Sequence, residues 1–411
     1  MLKSEFSKNV SSQILGTGLA QVIPFLATPI LTRLYTQDDF GRYTSFFAIG
    51  TILAVVAGGR YYLAIVLPRE RQEAIRLYGL SNYLTVIYAV VLTLVLLILK
   101  ELEIVKSQEL VYFVPFYVLF YGFWVALINF SIREKSFRIN AVSKVFQSAG
   151  YVLSAIALGF FNFTIFGLIF GKVFGTLGSG IYLFRKLRPD SMGMKWSDFR
   201  SVAIKYIDYP KFSVAPALLN TLSAQALILV LTKFYSSEDL GYYGLTFMVL
   251  SAPLGLIGTS YRDVFYQRIA ELIQKGEYAA SFLFFKKSAV FLFLIGAVIA
   301  VLLFFFGPFL FGIVFGNEWI RSGQFASILA FSFLAKIVAS PLSSVFYATN
   351  KIKIASVWQT IYFVTTFGTL GVASFILRLD IIDLLYLYLI HEVLLYVIYF
   401  LLQYRIIRKI S

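Results

Sequence analysis

Long apolar runs separated by short polar, glycine- or proline-marked turns organise almost the whole chain. A membrane-spanning helix needs ~20 mostly apolar residues. Twelve stretches meet that requirement: 10–32, 43–66, 78–99, 110–130, 142–161, 165–184, 210–232, 243–261, 282–306, 322–347, 354–376 and 382–403. The stretch 307–321 is apolar in parts, but Gly307, Pro308, Gly312, Gly316 and Asn317 interrupt it, which predicts a loop at the membrane surface. The pattern as a whole predicts an all-α polytopic membrane protein with about twelve transmembrane helices.

The same pattern repeats. LTRLYTQDDFGRY, Leu31 to Tyr43, returns as LTKFYSSEDLGYY, Leu231 to Tyr243, with six of thirteen positions identical, and the register persists at Phe47/Phe247, Gly58/Gly258 and Tyr61/Tyr261. Apolar segments matching by chance would not keep polar and glycine positions in register, so the chain reads as two related halves. Six helices return the chain to its starting side, so the second copy inserts in the same orientation. A pseudo-two-fold axis along the membrane normal then relates two six-helix lobes, 1–184 and 210–411, joined by a charged cytoplasmic linker, 185–209, that contains Pro189, Asp190, Ser191 and Gly193. This is the architecture of a transporter.

Composition and charge fit that reading. Hydrophobic residues make up 59% of the 411 and charged residues 14%, too apolar for a water-exposed surface. The net charge of +15 invites a nucleic-acid reading, but its distribution argues against one. With both termini cytoplasmic, 26 of the 36 basic residues fall on the cytoplasmic side, 7 fall outside (Lys106 among them) and 3 lie within helices. The excess is the positive-inside bias of a membrane protein. The first apolar segment is too long for a cleaved signal peptide and lacks a small-residue cleavage pattern, so it reads as the first span.

Catalytic and metal signatures are missing from the sequence. With no cysteine and one histidine there is no disulfide, thiolate metal site, thiol nucleophile or H-E-x-x-H motif. GLIFGK, Gly167 to Lys172, is too short between its glycines for a phosphate-binding loop. Gly167, Gly171 and Gly175 instead line one helix face and allow close helix approach. No cofactor or metal is expected.

Ionisable residues inside spans carry more information, because each costs at least ~2.5–3.5 kcal/mol to insert. They are Arg60, Lys172, Lys336 and the pair His391–Glu392. Lys336 lies near mid-depth, beyond easy snorkelling, and is the strongest candidate for a functional cation. Lys172 and Arg60 lie closer to the membrane faces, so snorkelling competes as an explanation. Arg262, two positions beyond the repeat equivalent of Arg60, places a second arginine at the cytoplasmic mouth; a local ion pair with Asp263 is the plain alternative. Glu392 reads either as a structural partner of a lysine or, with His391, as a proton or sodium coupling group. Three deep cations against one acid would make a cavity between the halves attractive to an anion. Pro24 and Pro29 in the first span, and Pro210 and Pro216 in the seventh, mark equivalent helices as hinges.

The turn LTRLYTQDDFGRY followed by GGRYYLAIVLPRE (Gly58 to Glu70) resembles the N-terminal pattern of bacterial polysaccharide flippases. Tyr209-Pro210-Lys211-Phe212, Val264-Phe265-Tyr266-Gln267-Arg268 through Glu271, and FGNEW (Phe315 to Trp319) resemble further motifs of the same proteins. The resemblance covers nearly the whole chain. It implies an O-antigen flippase of the Wzx type in the multidrug/oligosaccharidyl-lipid/polysaccharide (MOP) exporter superfamily, with a MATE-like fold and a location in the bacterial inner membrane. The implied activity is non-enzymatic: alternating access through a cationic central cavity carries undecaprenyl-diphosphate-linked oligosaccharide from the cytoplasmic to the periplasmic leaflet. By motif position Arg60 and Arg262 inherit contacts to the diphosphate, and membrane lipids and a polysaccharide polymerase are implied partners. Two other readings remain open at this point. An ion-coupled multidrug antiporter of the same superfamily would usually carry an acid in the first helix, but 9–32 contain none, and a polymerase or ligase would usually carry a large outer loop.

Overall fold

The computed structural model describes residues 2–102, 109–189, 194 and 196–410, and every regular element among them is helical. The helices are α1 (Leu2–Leu34), α2 (Gln37–Ala54), a 3-10 segment (Ala57–Val66), α3 (Arg71–Glu101), α4 (Val114–Arg133), α5 (Phe137–Phe160), α6 (Thr164–Leu187), α7 (Trp196–Lys205), α8 (Asp208–Phe234), α9 (Ser237–Gln274), α10 (Tyr278–Phe315), α11 (Ile320–Leu342), α12 (Val345–Ala348), α13 (Ile352–Gly371) and α14 (Ile381–Ile410). Among the described residues nine helices are long and apolar enough to cross a membrane, or ten if α2 and the 3-10 segment, bent 61° from one another, form one broken span. The protein is thus an all-α polytopic membrane protein. Each of the twelve expected segments overlaps a helix, while the nine or ten spans that meet the length and hydropathy requirement fall short of twelve.

By contacts the chain divides into two compact units, Met1–Gln225 and Ala226–Ser411, with the division inside α8. Of the expected linker, Asp190, Ser191 and Gly193 lie outside the described residues, as does Lys106 of the outer-loop charges. In the first unit one apolar cluster packs Tyr61, Tyr62 and Ile65 against Tyr78, Leu127 and Phe130. A cluster in the second unit packs Phe265 and Ile269 against Phe285, Leu342, Val345 and Ile407.

The repeated motif is a helix-start device. Thr36 accepts the Asp39 N–H at 3.2 Å and Asp39 accepts the Thr36 N–H at 3.0 Å, a reciprocal cap on α2. Ser236 accepts the Asp239 N–H at 3.0 Å at the start of α9. The aspartates also place negative charge at the positive end of each helix dipole. Leu31 and Leu231 are buried beneath the turns. Tyr35 donates to the Ala155 carbonyl of α5 at 2.6 Å, and Tyr235 to the Leu379 carbonyl, in the turn before α14, at 2.8 Å, each tying its turn to a later part of its own unit.

The expected span 43–66 is not one helix. α2 stops at Ala54, and Gly58, Gly59 and Arg60 all sit in the left-handed region, at φ 61, 56 and 58. Two adjacent glycines make that reversal cheap. A Cβ on Gly58 would also lie 2.9 Å from the Ser81 carbonyl oxygen of α3, so close packing enforces glycine there. The second copy has one glycine, Gly258, followed by Thr259 and Ser260, and α9 runs on without a left-handed residue. A single glycine does not force the break.

The expected loop 307–321 is helical through Phe315. Its glycines serve packing: a Cβ on Gly307 would lie 2.6 Å from the Gly323 carbonyl oxygen, and one on Gly323 would lie 2.6 Å from Pro308 Cα, so α10 and α11 meet backbone to backbone. Ser327 donates to the Leu303 carbonyl at 2.7 Å, beside the carbonyl that Pro308 leaves without its helical donor. The chain turns only at Gly316, φ 108. Gly171 and Gly175 likewise face α5, where a Cβ on Gly171 would meet the Tyr151 carbonyl oxygen at 3.0 Å and one on Gly175 the Tyr151 nitrogen at 2.7 Å.

Among the four hinge prolines, Pro24, Pro29 and Pro216 lie inside helices, but Pro210 sits in the first turn of α8, where its missing N–H interrupts nothing. That corrects the expectation for Pro210. Pro24 deprives the Ala20 carbonyl of its helical donor, and Ser148 of α5 supplies a hydroxyl instead at 2.5 Å.

Candidate functional site

The second unit holds a buried charged cluster. α14 carries Tyr388, Glu392 and Tyr396 at four-residue spacing, which puts them on one helix face. Glu392 is fully buried, and Lys336 from α11 forms an ion pair with its Oε2. Tyr362 of α13 donates to the same carboxylate, 3.0 Å from Oε1 and 3.2 Å from Oε2. His391 Nδ1 lies 3.5 Å from Glu392 Oε1, too long for an aligned hydrogen bond, and neither ring nitrogen has another hydrogen-bond partner among the described residues. The Lys336 ammonium lies 5.6 Å from the ring centroids of both Tyr388 and Tyr396. A carboxylate inside the hydrocarbon is tolerable only with such partners. The arrangement can hold a negative charge, exchange a proton at Glu392, or release the Lys336 cation when Glu392 becomes neutral.

The first unit holds two cations of another kind. Lys172 of α6 lies 5.2 Å from the Phe47 ring centroid and 5.5 Å from that of Tyr151. Tyr151 itself stacks on Tyr43 with centroids 6.4 Å apart. Arg60 occupies the break after α2, where its Nε donates to Ser213 Oγ at 3.1 Å and its guanidinium carbon lies 5.8 Å from the Tyr62 centroid. Neither cation has a carboxylate partner among the described residues. Rings and a hydroxyl solvate these cations without neutralising them.

The candidates therefore separate. Lys336, His391 and Glu392 come together; Lys172 and Arg60 stand apart in the first unit. Arg262 is half exposed and lies 3.5 Å from Asp263 Oδ1, the plain alternative anticipated from sequence. Arg60 and Arg262 do not occupy equivalent backbone, because one lies in a left-handed break and the other in a continuous helix. The tyrosines around Glu392, and Ser213 beside Arg60, were not anticipated. The spacing Tyr388–Glu392–Tyr396 was visible in the sequence, whereas Tyr362 and Ser213 reach their partners only through tertiary packing.

A family model described as "Polysaccharide biosynthesis protein" matches residues 6–273. The chain belongs to the polysaccharide biosynthesis protein family. Membership assigns the membrane bundle to polysaccharide biosynthesis and fits a transporter better than an enzyme. A relative of this family member, the succinoglycan biosynthesis transport protein ExoT of Rhizobium meliloti (strain 1021), is 20% identical over 357 residues, covering 82% of this chain and 67% of the relative. Among solved structures, an inward-facing multidrug resistance MATE family transporter of the MOP superfamily aligns at TM-score 0.73 and 14% identity over 95% of each chain. The lipid II flippase MurJ, in an inward closed conformation, aligns at TM-score 0.75 and 10% identity over 97% of this chain and 89% of that one. At those identities the likeness is one of fold: this polysaccharide biosynthesis protein has the MOP transporter fold.

Proposed function

We propose that this chain moves an undecaprenyl-diphosphate-linked oligosaccharide, an O-antigen unit or a similar repeat, from the cytoplasmic to the periplasmic leaflet of the bacterial inner membrane. The repeated lobes 1–184 and 210–411, joined through 185–209, work by alternating access. The observation that carries this reading is a polysaccharide biosynthesis family member with two cations, Arg60 and Lys172, lying in a membrane bundle without a carboxylate partner among the described residues. A diphosphate is the group in such a cargo that would complete both. An inside-negative potential favours outward movement of negative charge by ~2.3 kcal/mol per charge per 100 mV, so no covalent step is required.

Lys336 joins the cargo site conditionally. While Glu392 is ionised it holds Lys336, and when Glu392 takes a proton, with His391 beside it as relay, Lys336 becomes available to the diphosphate. Proton uptake and cargo binding are then linked. Arg262 approaches the cargo at the cytoplasmic end. Pro24, Pro29 and Pro216 supply the flexure.

Export in cells carrying Arg60→Gly or Lys172→Met tests the cation requirement. Surface polysaccharide should fall at least tenfold with membrane abundance unchanged, and full export in both variants would remove the role of these charges. Imposing a pH gradient on membrane vesicles tests the linkage: translocation should respond in the wild type and lose that response in Glu392→Gln. An equal response in both would discard Glu392 as the proton site.

A further inference from the structure

The turn after α13 departs from its counterpart after α5, and the departure builds a cleft. In the first unit the closing hydrogen bond runs from the Phe163 N–H to the Leu158 carbonyl; in the second it runs from Leu379 to Ala373, one residue longer, through the π-helical segment Val372–Ile376. Such insertions recur at functional sites. Asn162, φ 57, is left-handed in the first unit's turn, as is Thr164, φ 45, and Arg378, φ 50, in the second's. Asparagine suits that conformation, while arginine gains nothing from it locally. Glycines 159 and 167 let Tyr35 pack deep in the first unit. In the second, Phe375 meets Phe234 edge-on at 4.5 Å, and Tyr235 reaches only the turn. The cleft left open measures about 340 Å³ and is lined by Phe234, Tyr235, Ser374, Phe375, Arg378 and Leu379.

Its chemistry is basic, with exposed apolar residues on the same turn. Lys233 lies over both rings, 5.6 Å from the Phe234 centroid and 5.4 Å from that of Phe375. In the repeat Arg33 replaces Lys233, and it is committed to the Pro29 carbonyl. Neither Lys233 nor Arg378 pairs with a carboxylate among the described residues. The neighbouring acids are committed elsewhere: Asp380 caps α14 through the Asp383 N–H at 2.9 Å, and Asp239 pairs with Arg321 at 2.8 Å. Ser374 Oγ is 7% exposed as a residue, lies beside the Tyr235 hydroxyl and makes no aligned hydrogen bond. On the same turn Phe375, Ile376 and Leu377 are 60%, 73% and 56% exposed. Phe375 and Ile376 end the candidate span Ile352–Ile376 and Leu377 follows it, and headgroups begin where a span ends.

We propose that this cleft binds the phosphate of a membrane lipid, held by Lys233 and Arg378 with the Ser374 hydroxyl as a further donor, while the lipid chain lies along Ile376 and Leu377. Two cations, a buried hydroxyl and an apolar rim match an anionic headgroup with its tail attached. The site uses none of the cations assigned to cargo, so neither the direction nor the existence of flipping affects it. Bulk phospholipid and polyprenyl carrier share this phosphate chemistry.

Native mass spectrometry of the purified full-length protein, offered phosphatidylglycerol, phosphatidylcholine or undecaprenyl phosphate, tests the proposal. The wild type should retain phosphatidylglycerol or undecaprenyl phosphate over phosphatidylcholine. The double variant Lys233→Gln/Arg378→Asn should lose that retention by roughly thirtyfold. Arg378→Asn reproduces the residue at the first unit's turn, and an unchanged melting temperature in lipid-free detergent confirms that the variant is folded. Retention of both anionic lipids identifies a general headgroup site, and retention of undecaprenyl phosphate alone identifies a carrier site. Equal retention of phosphatidylcholine by the wild type, or undiminished anionic-lipid retention by a folded double variant, overturns the proposal.

Discussion

At the scale of residues, the charged side chains are distinguished by what stands next to them rather than by depth. Arg60 sits in a backbone region that costs a non-glycine residue roughly 1–2 kcal/mol, and it points at a serine and a tyrosine instead of an acid. Substitution by glycine removes the charge and also relieves the backbone, so Arg60→Gly should lose export while melting no lower than the wild type. A lower melting temperature would mean that the guanidinium is structural. Lys336 behaves in the opposite way. Removing it strands Glu392 in the hydrocarbon, at a cost of about 3–5 kcal/mol, so Lys336→Ala should reduce membrane abundance sharply. Lys336→Met with Glu392→Leu should restore abundance, and immunoblots of membrane fractions distinguish the cases. The sequence revealed Lys336 and Glu392 as deep charges, but their pairing depends on how α11 and α14 approach, which local pattern does not encode.

At the scale of elements, glycine and proline proved ambiguous because each has two physical uses. Gly58 and Gly59 take left-handed conformations and break a span that hydropathy alone reads as continuous. Gly307 and Gly312 remain helical, and Gly307 lets α10 and α11 touch, so the same residue types that suggested a loop extend a helix. Only the neighbouring helix decides between these uses. Gly58→Ala would combine a left-handed alanine with contacts to Ser81 and Thr85 of α3, and should cost about 1–3 kcal/mol in thermal stability of the purified protein. Gly258→Ala, with nothing among the described residues within 4 Å of the added Cβ, should change the melting temperature little. Equal effects at the two positions would contradict the account of the broken span.

At the scale of the whole molecule, the apolar runs were sufficient to read an all-α polytopic membrane protein, and the thirteen-residue repeat to find two matching helix starts. They worked because lipid permits few spanning structures and because helix caps need particular residues at fixed spacing. The two copies then diverge where function is assigned: Arg60 in a break against Arg262 in a continuous helix, and Asn162 against Arg378 at a turn. Divergence of that kind is invisible to a search for similarity. The central claim is that the protein carries a lipid-linked oligosaccharide across the membrane. The most direct measurement is the leaflet location of undecaprenyl-linked oligosaccharide in cells depleted of the protein, with surface polysaccharide followed in parallel. Accumulation of the lipid-linked unit in the cytoplasmic leaflet, with surface polymer lost and both restored by the wild-type chain, is the predicted result. Unpolymerised units reaching the periplasmic leaflet at the normal rate would contradict it.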